Sequence, residues 1–506
     1  MTRTYDVAIV GTGFAGIGMA VRLRAMGMTD FIVLEQAQAL GGTWRDNDYP
    51  NAACDVPSHL YSFSFEPSPR WSRKFAPQSE ILSYLKHVAT KFGVLAHIRF
   101  ASRVTEAVWD EQRSRWTLSL RAVDGSADPV RARVVIAATG PLSQPAEPVI
   151  PGRERFRGAA FHTACWDHSV RIDGARVAVI GTGASAIQVV PGIAARVRAL
   201  KLFQRTPPWI MPKADRAIRP LERNAFERLP ITQRFLRALM FWQFESRALG
   251  FYVRPELMWF GKLFALLHLR RQVRDPRLRA ELTPAYSLGC KRVLLSDDYY
   301  PALQRDNVEL ITRPIREIGE RGIITEDGSE HEVDVIIHAT GFQVGDLAAP
   351  PFRIRGLDGL DLTRLWQSGP EAYLGSAIAG FPNLFFIIGP NSLLGHNSMV
   401  HMIEGHIDYI ASALALMRAR GLASVHVRRD VQDRFNHWVQ ARMQHTIWAT
   451  GGCSNRYQTR AGKHVAIWPG STLAFRRRTA RFDHANYDLA YDSGPNQEVQ
   501  PWHTHP

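Results

Sequence analysis

Cysteine is scarce: Cys54, Cys165, Cys290 and Cys453 are the only four in 506 residues, and they stand far apart. They form neither a metal-ligand pattern nor a Cys-x-x-Cys redox pair, so no metal is expected and a reducing, cytoplasmic setting fits best. Long apolar runs are missing too. No stretch reaches the roughly 20 residues of a membrane span, and the richest, from Ala238 to Val253, is broken by Glu245 and Arg247. Met1 leads almost at once into a strand and a glycine loop, leaving no room for a signal peptide. Acidic residues are in deficit, with 47 against 62 Lys and Arg, a net charge of +15. That surplus favours anionic partners such as phosphate-bearing cofactors or lipid. The charge is spread along the chain without a basic tail, so nucleic acid is not expected.

What is present is an ordinary globular balance, 45% hydrophobic and 22% charged, in a chain long enough for several domains. The apolar run Tyr5 to Val10 is followed at once by GTGFAG, placing Gly11, Gly13 and Gly16 at a strand-to-helix turn. Glycine lets that turn tighten, brings the backbone within reach of a pyrophosphate and lets the helix pack on the strand. The helix N-terminus then offers free N–H groups to the phosphates. A second strand, Phe31 to Leu34, ends in Glu35, whose carboxylate suits the two hydroxyls of an adenosine ribose and repels a 2′-phosphate.

The pattern recurs. Arg176 to Ile180 leads into GTGASA, with Gly181, Gly183, Ser185 and, in the third slot, Ala186. The following strand, Ala199 to Phe203, is succeeded by Arg205 and Thr206, and Arg205 stands as far beyond Gly181 as Glu35 does beyond Gly11. A guanidinium there clamps a 2′-phosphate. Two loops of opposite charge logic imply two dinucleotides, FAD first and NADPH second. Two more apolar strands, Val134 to Gly140 and Val333 to Gly341, both end in Ala-Thr-Gly and bracket the second loop. The expected fold is therefore α/β with two Rossmann-like dinucleotide-binding domains. Residues 1–145 begin the FAD domain, 146–332 form the NADPH domain, and 333–506 return to the FAD domain and supply a C-terminal cap. Residues 218–282 show no convincing strand and many Leu, Phe, Trp and Arg residues at helical spacing. They read as a helical insertion in the NADPH domain whose apolar residues are core rather than a membrane anchor, the competing reading being a membrane-surface flavoprotein.

Phe156, Gly158, His162, Trp166 and Asp167 fill every defined slot of the F-x-G-x-x-x-H-x-x-x-W-[PD] fingerprint, and the chain thereby resembles the type I Baeyer–Villiger monooxygenases, class B flavin monooxygenases. A second family pattern is met from Gly41 through Trp44, Tyr49 and Pro50 to Asp55, except that Asn51 stands where Gly or Met is usual. Asn tolerates a left-handed backbone, so the turn should survive. Gly389-Pro-Asn-Ser392 and Trp468-Pro-Gly470 resemble the family's returning FAD segment and C-terminal region.

The resemblance implies an FAD- and NADPH-dependent monooxygenase that converts ketones to esters or lactones with dioxygen through a C4a-peroxyflavin. It implies that Arg292 is the active-site cation, that Asp55 positions it, that Lys291 reaches the NADP phosphate or ribose with Arg205 and Thr206, and that Thr43, Trp44 and Tyr61 belong to the cofactor site. His162 is implied to link domain movement to catalysis. The expected substrate is a small lipophilic ketone, and monomer and homodimer both stay open. An alternative inside the same architecture oxidises sulfur or nitrogen, and the Trp166-Asp167 ending argues against it. A flavin disulfide reductase would need a redox cysteine pair, which the spacing does not provide.

Charge-assisted hydrogen bonds of about 1.5–3 kcal/mol each should favour NADPH over NADH by roughly ten- to a hundredfold. Replacing Arg205 with Ala should abolish most of that preference in steady-state kinetics while FAD content is unchanged. Equal rates with NADH in the parent protein would refute the assignment.

Overall fold

The computed structural model describes residues 3–122, 125, 128–344 and 352–491. The strand Thr4–Val10 lies between the parallel strands Phe31–Leu34 and Val130–Ala137 in an eight-stranded sheet. Its apolar residues run consecutively because both faces are covered. Val7, Ile9 and Val33 enter one hydrophobic cluster, and Ala8, Val10 and Leu34 enter another on the opposite face. An antiparallel pair, Ser102–Asp110 and Arg115–Ala122, extends the sheet on the other side of Val130–Ala137. The short strand Ile98–Arg99 adds beyond Phe31–Leu34, and two strands from far along the chain, Arg353–Arg355 and Leu384–Phe386, complete it.

A second, five-stranded sheet is wholly parallel. Its order is Val308–Ile311, Ala199–Phe203, Arg176–Ile180, Val335–His338, Ala159–His162. The strand Val335–His338 lies inside this sheet, so the boundary expected after residue 332 falls later, and the chain leaves the sheet at Ala339-Thr340-Gly341. The two sheets repeat one design. In each, the strand carrying the glycine loop sits between the strand that follows it and a strand ending in Ala-Thr-Gly.

Residues 218–282 contain no strand. They form the helices Pro220–Arg228, Pro230–Ser246, Met258–Gln272 and Pro276–Glu281, with a short π turn at Leu249–Val253. The expectation that their apolar residues are core is overturned for much of the segment. Phe235, Trp242, Trp259 and Phe264 are each more than half exposed. Helical spacing identifies an apolar face but cannot say whether anything covers it.

The cysteine reading needs correction as well, because Cys290 and Cys453 are bonded to each other across a separation of 163 residues. Sequence spacing could not reveal the pair, since a helical insertion and the returning chain bring the two ends together. Cys54 and Cys165 are free.

The insertion is anchored through Glu245, which is buried where the helix Pro230–Ser246 meets the C-terminal region. Its carboxylate accepts hydrogen bonds from the Leu473 N–H at 2.9 Å and Asn397 Nδ2 at 2.9 Å, with His396 Nε2 at 3.3 Å. Burial alone would raise its pKa, but hydrogen bonds from His396, Leu473, Thr472 and Asn397 outweigh burial and bring it to about 2 from the ordinary 4.5. A depressed carboxylate contributes stability above its unfolded pKa and loses it as pH falls through the folded value. Glu245→Gln should therefore be less stable than the parent by about 1–3 kcal/mol at neutral pH. In thermal melts that gap should narrow between pH 4.5 and 2, and a constant gap would contradict the role given to the charge.

Candidate active site

Each glycine loop is shaped by contact on one side and open space on the other. Gly11, at φ +108°, and Gly181, at φ +111°, have left-handed backbones, and a Cβ on either would lie 2.7 or 2.6 Å from the carbonyl oxygen of Ala138 or Ala339. These are the alanines of the two Ala-Thr-Gly ends. A Cβ on Gly16 would strike the Gly11 carbonyl at 1.9 Å, so helix and turn meet without room for a side chain. By contrast, nothing lies within 4 Å of where a Cβ on Gly13 or Gly183 would stand. Each loop thus offers an uncovered stretch of backbone beside a helix N-terminus, which fits a bound pyrophosphate.

The residues beyond the loops differ in charge. Glu35 is buried, and its carboxylate accepts from the Thr12 N–H and hydroxyl at 3.1 and 2.5 Å, from the Ala37 N–H at 2.9 Å and from Arg45 at 3.1 Å. It ties the strand end to the glycine loop. At the second loop Arg205 is exposed, and no carboxylate among the described residues pairs with it or with Lys291. Lys291 lies over the Tyr286 ring at 5.0 Å. Burial and the neighbouring Arg205 charge both lower its pKa. Two adjacent cations without an internal counter-charge repel each other, and an anion placed between them would relieve that repulsion. Thr206 is close by, its carbonyl accepting from the Thr182 hydroxyl at 2.9 Å.

Arg292 and Asp55, 237 residues apart in sequence, form a bidentate pair. Arg292 Nε donates to Asp55 Oδ2 at 2.9 Å, and one terminal nitrogen reaches both carboxylate oxygens at 2.7 and 2.6 Å. Their side chains are 37% and 24% exposed. The Asp55 charge raises the already high pKa of Arg292 against the opposing effect of burial, and Tyr457 also acts on it. The guanidinium therefore stays charged and oriented while part of it faces outward. Nearby groups are neutral. Burial and the Asp55 charge push the Cys54 thiol up, and burial does the same to Tyr61, whose hydroxyl accepts from Trp44 Nε1 at 3.1 Å. Thr43 and Trp44 begin a single helical turn, Thr43–Asp46, after Gly41 and Gly42, both in positive φ.

The fingerprint residues are gathered at the edge of the second sheet. The strand Ala159–His162 pairs in parallel with Val335–His338, with His162 opposite His338. A Cβ on Gly158 would meet the Asp334 carbonyl at 2.3 Å and the Phe156 ring at 2.6 Å. His162 is buried, burial lowers its pKa, and its Nδ1 accepts from the Ala164 N–H at 3.0 Å, so the ring is neutral. Trp166 packs edge-on against Phe161, and Asp167 caps a turn by accepting from the Ser169 N–H and hydroxyl. None of these side chains touches the Arg292–Asp55 pair by hydrogen bond or ion pair. The motif instead adjoins the strand that leads into the second Ala-Thr-Gly crossing.

Asn51 does adopt positive φ, at 64°, and its amide packs 3.2 Å from where a Cβ on Gly192 would stand. Gln188, which carried no sequence signal beyond its place in the second loop's helix, connects the two halves of the site. It accepts from the Tyr49 hydroxyl at 3.1 Å and donates to the Ala53 carbonyl at 2.9 Å. Tyr457, beside Arg292, was equally invisible, because no motif marks it.

The residue pattern and its geometry agree with what the chain is similar to. A model of the pyridine nucleotide-disulphide oxidoreductases matches residues 8–239. A Baeyer–Villiger monooxygenase of Pseudomonas aeruginosa is 47% identical over 488 residues, covering 96% of this chain and 92% of that relative. The chain belongs to the Baeyer–Villiger monooxygenase family. A structure described as oxidized steroid monooxygenase bound to NADP superimposes with a TM-score of 0.85 at 32% identity, covering 96% of this chain and all of that one. OTEMO in complex with FAD and NADP gives a TM-score of 0.85 at 28% identity, over 97% of this chain and all of that one. In a Baeyer–Villiger monooxygenase built this way, the crowding at Gly158 should matter. Gly158→Ala should lose about 2–4 kcal/mol of stability because the opposing atom is backbone and cannot rotate away. An unchanged melting temperature would show that the strand edge shifts freely.

Proposed function

We propose that the chain is an FAD- and NADPH-dependent enzyme that inserts one oxygen of dioxygen beside the carbonyl of a lipophilic ketone, giving an ester or lactone. The Arg292–Asp55 pair carries this reading. Bound flavin supplies the chemistry that activates dioxygen, and few reactive side chains are then required of the protein.

In this reading residues 1–145 and the chain beyond the crossing at Ala339–Gly341 hold FAD, and the intervening segment holds NADPH. The loop of Gly11, Gly13 and Gly16 binds the FAD pyrophosphate, Glu35 the adenosine ribose, and Thr43, Trp44, Asp55 and Tyr61 the flavin end. Gly181, Gly183 and Ser185 bind the second pyrophosphate, while Arg205, Thr206 and Lys291 recognise the 2′-phosphate and adjoining ribose.

Arg292 keeps a fixed positive charge where negative charge develops on oxygen during attack on the ketone. A preoriented cation there lowers the barrier without reorganising at the moment of reaction. Asp55 positions that cation and keeps it charged. The neutral His162 has no assigned proton to move, and its strand instead transmits movement between the two nucleotide-binding units. The Trp166-Asp167 ending favours this activity over sulfur or nitrogen oxidation.

Hydride transfer depends mainly on positioning, whereas oxygen insertion also needs the cation. Arg292→Ala should still consume NADPH yet yield no detectable ester or lactone by mass spectrometry, with hydrogen peroxide released instead. Asp55→Ala should show a milder form of the same split. Ester formation near the parent rate in Arg292→Ala would overturn the role given to Arg292.

A further inference from the structure

The helical insertion presents its apolar residues away from the protein. On the helix Pro230–Ser246, Ile231, Phe235, Leu239 and Trp242 recur at helical spacing, and each is 58–71% exposed. The same helix buries Gln233 and Phe244 on its other side and Glu245 at its C-terminal end. On Met258–Gln272, Trp259, Phe260, Phe264 and Leu267 form a second exposed stripe, while Ala265, His268 and Leu269 face inward. The connection between the helices exposes Leu249 and Val253 as well. An isolated exposed leucine needs no explanation, but two consecutive helices with solvent-facing aromatic stripes do.

Charge decides what covers them. From residue 229 to 274 the only exposed carboxylate is Glu256, because Glu245 is buried. Arg234, Arg254, Lys262, Arg270, Arg271 and Arg274 are all exposed over the same span. At 100° per residue, Arg270 and Arg271 fall on the same arc as Trp259, Phe260 and Leu267, so cation and apolar surface share one face. Leu249 and Val253 also line a cavity of about 590 Å³ whose other wall holds Arg442 and Arg478. Both guanidiniums lie over the Trp438 ring, at 5.7 and 4.4 Å. A second copy of the chain docked on this face by a two-fold axis would bring one net-basic surface against another, with Glu256 the single exposed carboxylate of residues 229–274 to offset it. No helix among the described residues is long and apolar enough to cross a membrane. We infer that this basic, aromatic face of the insertion rests on the surface of an anionic lipid bilayer, lying in the interface without spanning it.

Tryptophan, phenylalanine and arginine side by side suit that boundary, where rings enter the acyl region and guanidiniums meet phosphate. The inference does not depend on the ketone chemistry, since a lipid-binding surface can exist whatever the flavin does.

The test uses the full chain and sedimentation with vesicles of phosphatidylcholine alone or with roughly a third phosphatidylglycerol. Binding to the anionic vesicles should be at least about tenfold tighter, and raised salt should weaken it. Phe235→Glu with Phe264→Glu should reduce that binding by about tenfold or more, since each ring leaves the apolar phase. Should that pair fail to fold, Arg270→Gln with Arg271→Gln tests the charge alone and should erase much of the preference for anionic lipid. Equal binding to both vesicle types, or binding untouched by both sets of substitutions, overturns the inference. So does absence of vesicle binding together with a dimer, seen by sedimentation velocity, that Phe235→Glu and Phe264→Glu disperse.

Discussion

At both nucleotide loops the first glycine is pressed against a backbone carbonyl, Gly11 against Ala138 and Gly181 against Ala339. A side chain at either position would have to occupy the space of that oxygen, in a backbone conformation that L residues rarely adopt. Much else follows from this close approach. It holds the end of a neighbouring strand beside the turn, sends the chain onward through Thr-Gly, and leaves the middle glycine facing outward. The same constraint therefore shapes the two glycine turns and the two points at which the chain crosses between sheets.

Those crossings explain the position of the fingerprint. Its strand is paired with Val335–His338, the strand that runs directly into the second crossing. Gly158 is glycine because the Asp334 carbonyl and the Phe156 ring leave no space there. The motif thus sits at the junction between the two sheets, and Gln188 supplies a second link by bridging Tyr49 and Ala53. Arg292 depends on both units, since its own segment follows the helical insertion while Asp55 belongs to the loop after Trp44. The Cys290–Cys453 bond lies two residues from Arg292 and joins that segment to the returning chain.

The insertion follows a different physical rule. Its helices are secured by a few buried groups, Glu245 above all, whereas their large apolar side chains are displayed outward. Such a surface costs solvation free energy in water and gains it back only against an apolar partner. Basic residues on the same arc restrict that partner to one with negative charge.

Local chemistry made a large part of this legible. Glycine spacing marked both strand-to-helix turns, and the opposite charges of Glu35 and Arg205 set the two loops apart. These features depend on neighbouring residues, so a short window contains them. Family resemblance added Arg292, from the Lys291-Arg292 pair, and Asp55, from the Gly41 to Asp55 pattern, yet only the folded chain brings the two into bidentate contact. Contacts between distant segments stayed hidden for the same reason: the Cys290–Cys453 bond, the Gln188 bridge and the approach of Tyr457 each need tertiary folding to exist. The exposure of the insertion was hidden differently. A helical repeat of apolar residues is the same string of letters whether it faces a core or faces outward, and only the arrangement of the surrounding elements decides which.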